Sequence, residues 1–349
     1  MAVLFSWNSF LVVSFVFIVS LDKTSGWDLV SADLEQNAVI TRFAVWRNRA
    51  FLVIPRQKRR VKKATLFEGV WPETVNNNVK AFLGLEKSGL TKCSGLRTAV
   101  GLDIEPLGRL WVLDVPEESY CPAKIIVYDL RRNNEEVASN ELSGVDKNKL
   151  GAIVIDSYIG LWGQRAYIAD PGDETIIIYS LGQRKWWKVK LQHATNVQYL
   201  RITDFAISRK NSVLYLTASS SLDLFSVNLQ QLRYDMDFST RVTRNITVSW
   251  VGYKMGTSSG LLCDSKIGLH YFMVSEKASV RWDSKLPLIA ENHQILLQNQ
   301  TVPCIADYRM DSQKNIWAVV NPVCPKHRGK YFKGILKLRT VQIAKYPYA

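Results

Sequence analysis

One short pattern, an apolar and aromatic run that ends on a polar or turn residue, recurs six times along the chain. The six runs span residues 49–55 (RAFLVIP), 109–114 (RLWVLD), 165–170 (RAYIAD), 213–219 (VLYLTAS), 269–275 (LHYFMVS) and 316–321 (IWAVVN). Their aligned aromatic residues lie 46 to 60 positions apart, at Phe51, Trp111, Tyr167, Tyr215, Tyr271 and Trp317. Runs of this length and composition predict β-strands.

The neighbours of these runs repeat as well. An apolar alternation and a turn precede them, as at residues 100–108, 203–211 and 305–315, and further strand-like runs follow at 124–130, 175–181, 223–229, 279–283 and 334–338. Units of about 50 residues that cannot cover both of their faces alone are typical of propeller blades. The sequence therefore predicts an all-β protein in which residues 26–349 form a single six-bladed β-propeller. A pair of β-sandwiches is the weaker alternative, because sandwiches seldom repeat one phrase six times.

Residues 10–21 form an almost unbroken apolar run, followed by polar residues and then by Ser25 and Gly26. The run is short and terminal, which is typical of a signal-peptide core. We expect residues 1–25 to be a cleaved signal peptide, with an uncleaved anchor as the alternative. No other run approaches spanning length, so the sequence predicts a secreted, extracellular protein that has no membrane contact after cleavage.

The chain is basic, with a formal charge of +14 and a pI near 9.5. A basic surface favours acidic partners, and an exported chain excludes nucleic acid from among them. The densest charge runs from Arg56 to Lys63 (RQKRRVKK), with six cations in eight residues. This segment is interpreted as a loop that is either simply solvated or in contact with acidic matrix or glycans.

Five cysteines agree with export. Cys93 and Cys121 lie 28 residues apart, and a bridge between them would stabilise the fold by roughly 3–4 kcal/mol on the chain-entropy view. Cys263, Cys304 and Cys324 allow one further bridge and one odd thiol. The sequence leaves Cys263–Cys324 and Cys304–Cys324 open.

Two glycosylation sequons occur, at Asn245 (Asn-Ile-Thr) and Asn299 (Asn-Gln-Thr). The four histidines are scattered singly and no C-x-x-C is present, so the spacing supports no metal site. Common nucleophile and phosphate-binding motifs are missing too. We therefore expect neither a metal nor a cofactor.

Several phrases resemble the insect yellow / major royal jelly family. They are GRLWVLD at 108–114, CPAKIIVYDL at 121–130, AFLVIPR at 50–56, VSEKASVRWD at 274–283, ENHQILLQN at 291–299 and NIWAVVN at 315–321. The resemblance covers essentially all of the chain after the signal segment. It implies a secreted propeller with a central channel that accommodates a ligand, and the Cys93–Cys121 bridge fits the family pattern. Departures such as Val115-Pro116 and Pro322 mark a divergent member.

Polar residues end the repeated runs at equivalent places, which in a propeller fall at one height on one face. They are Asp114, Asp170, Ser219, Ser275 and Asn321. A ring of acceptors beside aromatic residues suits a small cation or a catechol. The alternative is that these side chains cap strands and satisfy turn amides.

The resemblance adds one residue role. Asn321 matches an asparagine that lines the channel in amine-binding members, although Pro322 stands here where those members have Arg. Asp204 and Asp307 are second-rank candidates, expected in turns that feed neighbouring blades.

Three functions follow from these features. The favoured one is a monomeric, non-enzymatic secreted protein that binds a small aromatic or biogenic amine, or that serves in cuticle, eggshell or pigmentation matrix. The second is an enzyme that converts dopachrome, as a tautomerase or isomerase of melanin formation, which requires a general base near the abstracted proton. The third is a nutritive or storage protein.

Overall fold

The computed structural model describes residues 27–28, 38–56, 64–72, 77–83, 93–160, 162–193, 200–233, 244–324 and 338–348. The predicted signal peptide, residues 1–25, lies outside this part of the chain. More than half of the described residues are in strands, and the rest include one short helix, α1 (Leu229–Arg233), and two 3₁₀ turns, Lys147–Lys149 and Ala290–Asn292. Among them no helix is long and apolar enough to cross a membrane.

The strands form antiparallel meanders in which each strand pairs with the next along the chain. Unit 1 contains β2 (Arg42–Trp46), β3 (Arg49–Val53), β4 (Leu66–Val70) and β6 (Lys80–Ala81), beside a small parallel pair of β1 (Trp27–Asp28) and β5 (Asn77–Asn78). Unit 2 contains β7 (Ala99–Ile104), β8 (Arg109–Asp114), β9 (Lys124–Asp129) and β10 (Glu135–Glu141).

The next two meanders are joined into one sheet. Unit 3 contains β11 (Ile153–Gly160), β12 (Gly163–Asp170), β13 (Thr175–Ser180) and β14 (Lys185–His193). Unit 4 contains β15 (Asp204–Ser208), β16 (Val213–Thr217), β17 (Asp223–Asn228) and β18 (Arg244–Tyr253). The first half of β18 pairs with β14 in parallel, and its second half pairs with β17 antiparallel. The resulting eight-stranded sheet folds back until β11 contacts β15.

Unit 5 contains β19 (Ser258–Cys263), β20 (Gly268–Met273), β21 (Ala278–Asp283) and β22 (His293–Gln298). Unit 6 contains β23 (Cys304–Met310), β24 (Ile316–Asn321) and β25 (Arg339–Ala344). The strand expected at residues 334–338 lies outside the described residues except for Leu338, and the observed third strand of this unit begins just after it.

The six repeated runs are strands, as the pattern predicts. Each is the second strand of its unit, namely β3, β8, β12, β16, β20 and β24. Their aromatic residues pack edge-to-face against the neighbouring unit in several places. Trp111 lies 5.9 Å from Tyr179 of unit 3, and Trp317 lies 5.0 Å from Trp71 of unit 1. The aromatic residues of the repeat therefore make contacts between units as well as within them.

The hydrophobic core is divided into clusters that lie between consecutive units. One cluster joins Phe51 of unit 1 to Leu110 of unit 2, and equivalent clusters follow along the chain. A further cluster joins unit 6 back to unit 1, with Val319 packed beside Phe43 and Ile40. This return contact gives the molecule a propeller-like arrangement.

Candidate functional site

The first strands of the units surround a channel. β2, β7, β11, β15, β19 and β23 contact one another in chain order, and β23 contacts β2. Two cavities lie along these strands. Residues at or near the starts of the strands line one cavity, and residues toward their ends line the other. The first strands therefore run in the same direction, and the cavities lie at opposite ends of the channel.

The first cavity has a volume of about 190 Å³. Its described lining residues are Thr41, Arg42, Pro55, Val100, Gly151, Asp204, Ser259, Gly260 and Ala306. The wall is mostly apolar or backbone, and its charged side chains are Arg42 and Asp204. Such a cavity suits a ligand with an apolar body and one polar group.

A charged bridge of Arg42, Asp204, Asp307 and Arg309 crosses the channel between the cavities. Arg42 Nη2 lies 2.9 Å from Asp204 Oδ1, and Arg42 Nη1 lies 3.8 Å from Asp307 Oδ1. Arg309 Nη2 lies 3.3 Å from Asp307 Oδ2. β2 and β15 are separated by two strands in either direction around the channel, so the ion pair of Arg42 with Asp204 spans its width.

The bridge is deeply buried and its charges depend on one another. Burial opposes the charge of Arg42, but Asp204 and Asp307 outweigh it and raise the pKa of Arg42 above its usual value. Burial raises the pKa of Asp307, and the guanidinium groups of Arg309 and Arg42 counter that rise. Removing one cation would therefore leave a buried carboxylate without compensation.

Lys254 lies close to the bridge, in the segment that follows β18. It is only 2% exposed, and its Nζ donates to Ser258 Oγ at 2.5 Å. Burial lowers the pKa of Lys254 to about 8, although Asp204 and Asp223 favour its charged form. Ser258 is adjacent to Ser259, which lines the first cavity. The Lys254 amine is therefore separated from that cavity by the segment that contains these two serines.

The second cavity has a volume of about 120 Å³. Its described lining residues are Ala44, Val45, Asp103, Ile104, Val154, Phe205, Ala206, Ile207, Arg209, Leu261, Leu262, Cys263, Arg309 and Met310. Two of these side chains are cationic and one is anionic, whereas the first cavity is lined by one of each.

Residues 97–328 match the sequence profile of the family described as major royal jelly protein. The chain belongs to the major royal jelly protein family. It is 25% identical over 271 residues to major royal jelly protein 9 of Apis mellifera, and the aligned region covers 66% of this chain and 62% of that protein. It is 23% identical over 350 residues to protein yellow of Drosophila simulans, and the aligned region covers 90% of this chain and 63% of that protein.

The chain spans under two thirds of the length of these family members. Among solved structures, an auxiliary nutrient binding protein from Bacteroides thetaiotaomicron superposes with a TM-score of 0.51 and 7% identity, covering 80% of this chain and 66% of that one. This likeness concerns the fold alone. The low identities to the family agree with a divergent member.

Asp114, Asp170 and Asn321 end their second strands, whereas Ser219 and Ser275 lie two residues beyond the ends of β16 and β20. Asp114, Asp170, Ser219 and Asn321 are buried, whereas Ser275 is exposed. None of the five is among the described residues that line the first cavity. The structure thus places them at one end of their units, one strand outward from the channel.

The contacts of these side chains are mostly with neighbouring backbone or with lysine. Asp114 Oδ1 accepts from the backbone amides of Arg97 and Thr98, and burial raises the pKa of Asp114. Asp170 Oδ2 lies 2.9 Å from Lys188 Nζ. These contacts match the strand-capping interpretation.

Asn321, which family resemblance places at the ligand, has a different set of contacts here. Its Oδ1 accepts from the Ile40 amide at 3.0 Å, and its Nδ2 donates to the Ile40 carbonyl at 2.7 Å. The side chain is fully buried. Its amide therefore holds the segment before β2 against the end of β24, where unit 6 meets unit 1.

The charged bridge contains residues that sequence reasoning underrated or missed. Asp204 and Asp307 were expected in turns, but they lie in strands β15 and β23. Arg42 and Lys254 were not singled out at all. Isolated charged residues within otherwise apolar first strands were the available signal, because a charge there must face the channel or be paired.

Two disulfides are present. Cys93 pairs with Cys121, as predicted, and Cys304 pairs with Cys324, which decides between the two open alternatives. Cys263 is free and buried. The disulfides agree with an oxidising compartment.

The remaining surface predictions concern glycans and the basic loop. Both sequon residues, Asn245 and Asn299, are exposed, as a glycan acceptor must be. Residues 57–63 of the basic loop lie outside the described residues. Arg56 is described, and its Nη2 donates to the Arg97 carbonyl at 2.6 Å, which ties the start of the loop to unit 2.

Proposed function

We propose that this member of the major royal jelly protein family is a secreted, glycosylated six-bladed β-propeller that binds a small aromatic amine in the first cavity without converting it. The six meanders, their clusters between consecutive units and the contact of β23 with β2 support the blade count. The disulfides and exposed sequons support export and glycosylation.

The first cavity carries the ligand proposal. An apolar cavity of about 150 Å³ is large enough to hold benzene, and this one is about 190 Å³. An aromatic ring would lie against the apolar wall formed by Pro55, Val100 and Ala306. The ammonium group would approach Asp204, whose Oδ1 is bonded to Arg42 while its Oδ2 accepts the Thr203 hydroxyl at 3.0 Å.

Asp204 favours an amine over an acid as the ligand. The positive charge of Arg42 is already shared between two carboxylates, so a third anion at this end would compete for it. An ammonium group instead adds a cation to a wall that exposes a carboxylate.

Gly151 offers a test that leaves the charges untouched. A Cβ built on Gly151 would meet no described atom within 4 Å, and Gly151 lines the first cavity. We therefore expect Gly151→Leu to fill the cavity and weaken binding of dopamine and serotonin at least tenfold, while Gly151→Ala has a smaller effect. Calorimetric titration of the secreted, glycosylated protein measures both, with the thermal midpoint as the check on folding.

Several outcomes would contradict the proposal. The wild-type protein binding neither amine would remove it and leave the matrix role. Equal binding by wild type and Gly151→Leu would place the amine elsewhere. A parallel assay measures dopachrome consumption by the purified protein. Consumption would show that the protein is an enzyme and not a carrier.

Lys254 supports that enzyme as a second candidate. A group that accepts and releases a proton is what tautomerisation of dopachrome requires. Lys254 Nζ donates to Ser258, which is adjacent to Ser259 in the wall of the first cavity, and burial lowers the pKa of Lys254 to about 8. If this candidate holds, dopachrome loss rises as pH approaches 8 and falls sharply in Lys254→Met. Turnover that is unchanged in that variant would exclude Lys254 as the base.

A further inference from the structure

The second cavity has no place in the proposed function. It lies beyond the charged bridge, and its wall is largely aliphatic, with Ile104, Val154 and Ile207 among its residues. Charged side chains reach it from three different first strands or their ends: Asp103 from β7, Arg209 just after β15 and Arg309 from β23.

Arg309 is held rigidly across the channel. Its Nη1 donates to the Tyr308 carbonyl and its Nη2 to the Leu102 carbonyl, both at 3.1 Å. Leu102 belongs to β7, so the side chain reaches over β2 to a strand that is not its neighbour. The Nε of Arg309 is buried and has no hydrogen-bond partner among the described residues. A buried donor on a charged group is costly to leave unpaired, and an anionic acceptor would satisfy it.

Arg209 provides the second cation. Its Nε donates to Ser157 Oγ at 2.9 Å and its Nη2 to the Ile155 carbonyl at 3.3 Å. Both partners are neutral, and no salt bridge joins Arg209 to a carboxylate in the described ranges. The side chain is exposed at the mouth of the cavity. Its charge is therefore available to an anion that enters from solvent.

Asp103 is held by backbone amides. Its Oδ1 accepts from the Ile104 amide at 2.9 Å and its Oδ2 from the Ile155 amide at 2.8 Å. Both oxygens are thus engaged by backbone of the surrounding strands. Arg309 is also paired with Asp307, whose Oδ2 lies 3.3 Å from Arg309 Nη2. The mouth of the cavity therefore offers the charge of Arg209 and the unpaired Nε of Arg309, and guanidinium groups bind carboxylates well.

We propose that the second cavity is a separate binding site for a short-chain monocarboxylate, with the carboxylate at Arg309 and Arg209 and the alkyl chain against the aliphatic wall. The volume sets the length. A liquid water takes up about 30 Å³, so a cavity of about 120 Å³ holds roughly four groups of that size. This site is independent of amine binding in the first cavity and stands if that proposal fails.

Butanoate is the probe, titrated into the full glycoprotein at low salt. We expect saturable binding of butanoate, with 1-butanol and butylamine binding at least tenfold more weakly. Arg209→Gln should weaken butanoate binding at least tenfold. Lys210→Gln removes the same charge from the next residue, which does not line the cavity in the described set, and should change the affinity less than twofold.

Four results would overturn the site. They are no saturable binding of butanoate, equal weakening by Lys210→Gln and Arg209→Gln, equal binding of butanoate and butanol, or full displacement by equimolar sulfate. The Gly151→Leu variant separates this site from the first cavity. Butanoate binding that survives in Gly151→Leu supports a second site, and binding lost there would place butanoate in the first cavity.

Discussion

The two ends of the channel differ although the same strands build them. At the first cavity, Arg42 and Asp204 neutralise each other and the remaining wall is mostly apolar. At the second, Arg209 and the Nε of Arg309 have no carboxylate partner among the described residues. The charged bridge between them accounts for this difference, because Asp204 pairs with Arg42 and Asp307 lies between Arg42 and Arg309, whereas Arg209 lies outside the bridge. Position along a first strand, rather than strand identity, therefore distinguishes the charged groups at the two ends.

Removing Arg42 should have the largest effect on stability. In Arg42→Met, Asp204 loses its ion pair and Asp307 keeps only Arg309, so we expect the free energy of unfolding to fall by about 3–5 kcal/mol. Urea unfolding measures the loss. Arg132→Met is the matched control, since that side chain is 72% exposed and surface changes usually stay within about 0.5 kcal/mol. Adding Asp204→Asn should recover part of the loss, and an unchanged midpoint in Arg42→Met would refute the role of the bridge.

Removing the Cys304–Cys324 disulfide should affect both stability and the first cavity. Ser259, which lines that cavity, has its Oγ 3.6 Å from Cys324 Sγ. Replacing both cysteines by Ala should lower the free energy of unfolding by roughly 3 kcal/mol, because the bridge closes a loop of 20 residues. Amine binding should weaken as well.

The other disulfide supplies the control for that experiment. Cys93 and Cys121 close a loop of 28 residues in unit 2, away from the described lining of either cavity. Replacing both by Ala should cost a similar free energy and leave ligand binding unchanged under conditions where the protein is folded. Equal loss of amine binding in both double variants would mean that only global stability had changed.

Replacing Lys254 should have a smaller effect of the opposite sign on the free energy of unfolding. Its pKa falls from 10.5 to about 8 on folding, which disfavours the charged form by about 3 kcal/mol at pH 7. Lys254→Met removes that penalty but loses the bond to Ser258, worth about 1 kcal/mol, so we expect a net gain of about 2 kcal/mol. The folded state binds fewer protons between pH 8 and pH 10.5, so wild-type stability should rise with pH across that window.

Thermal unfolding at several pH values checks this prediction. The rise between pH 8 and pH 10.5 should be reduced in Lys254→Met and retained in Lys210→Met, where the lysine is exposed. A slope that persists in Lys254→Met would mean that another group produces it.

The repeated strands were predictable because their signal is local. Trp111, Tyr167 and Tyr271 each stand in a short apolar run between turn residues, and all three lie in second strands. The Cys93–Cys121 bridge was predictable for the same reason, since both cysteines belong to one stretch of 28 residues. Within such stretches, alternation and turn chemistry determine the conformation.

The site was harder to predict because its contacts are distant in sequence. Arg42 and Asp204 are 162 residues apart, and no local pattern pairs them. Asp114 and Asp170 illustrate the complementary difficulty. Both residues end a second strand, but the contacts of each side chain depend on the amides and lysines of other segments of its own unit.

The parallel pairing of β14 with β18 has a consequence for how the molecule opens. The outermost strand of a meander is normally an edge, with amides that exchange with solvent early and can pair with another chain. Here the edges of units 3 and 4 protect each other, from Val189 with Arg244 to His193 with Val248. The two units should therefore exchange their backbone hydrogens as one cooperative block, while β10 and β22 exchange as independent edges. The exposed sequon residue Asn245 lies within this seam, so a glycan there would be carried by a strand that is paired on both sides in the described part of the chain.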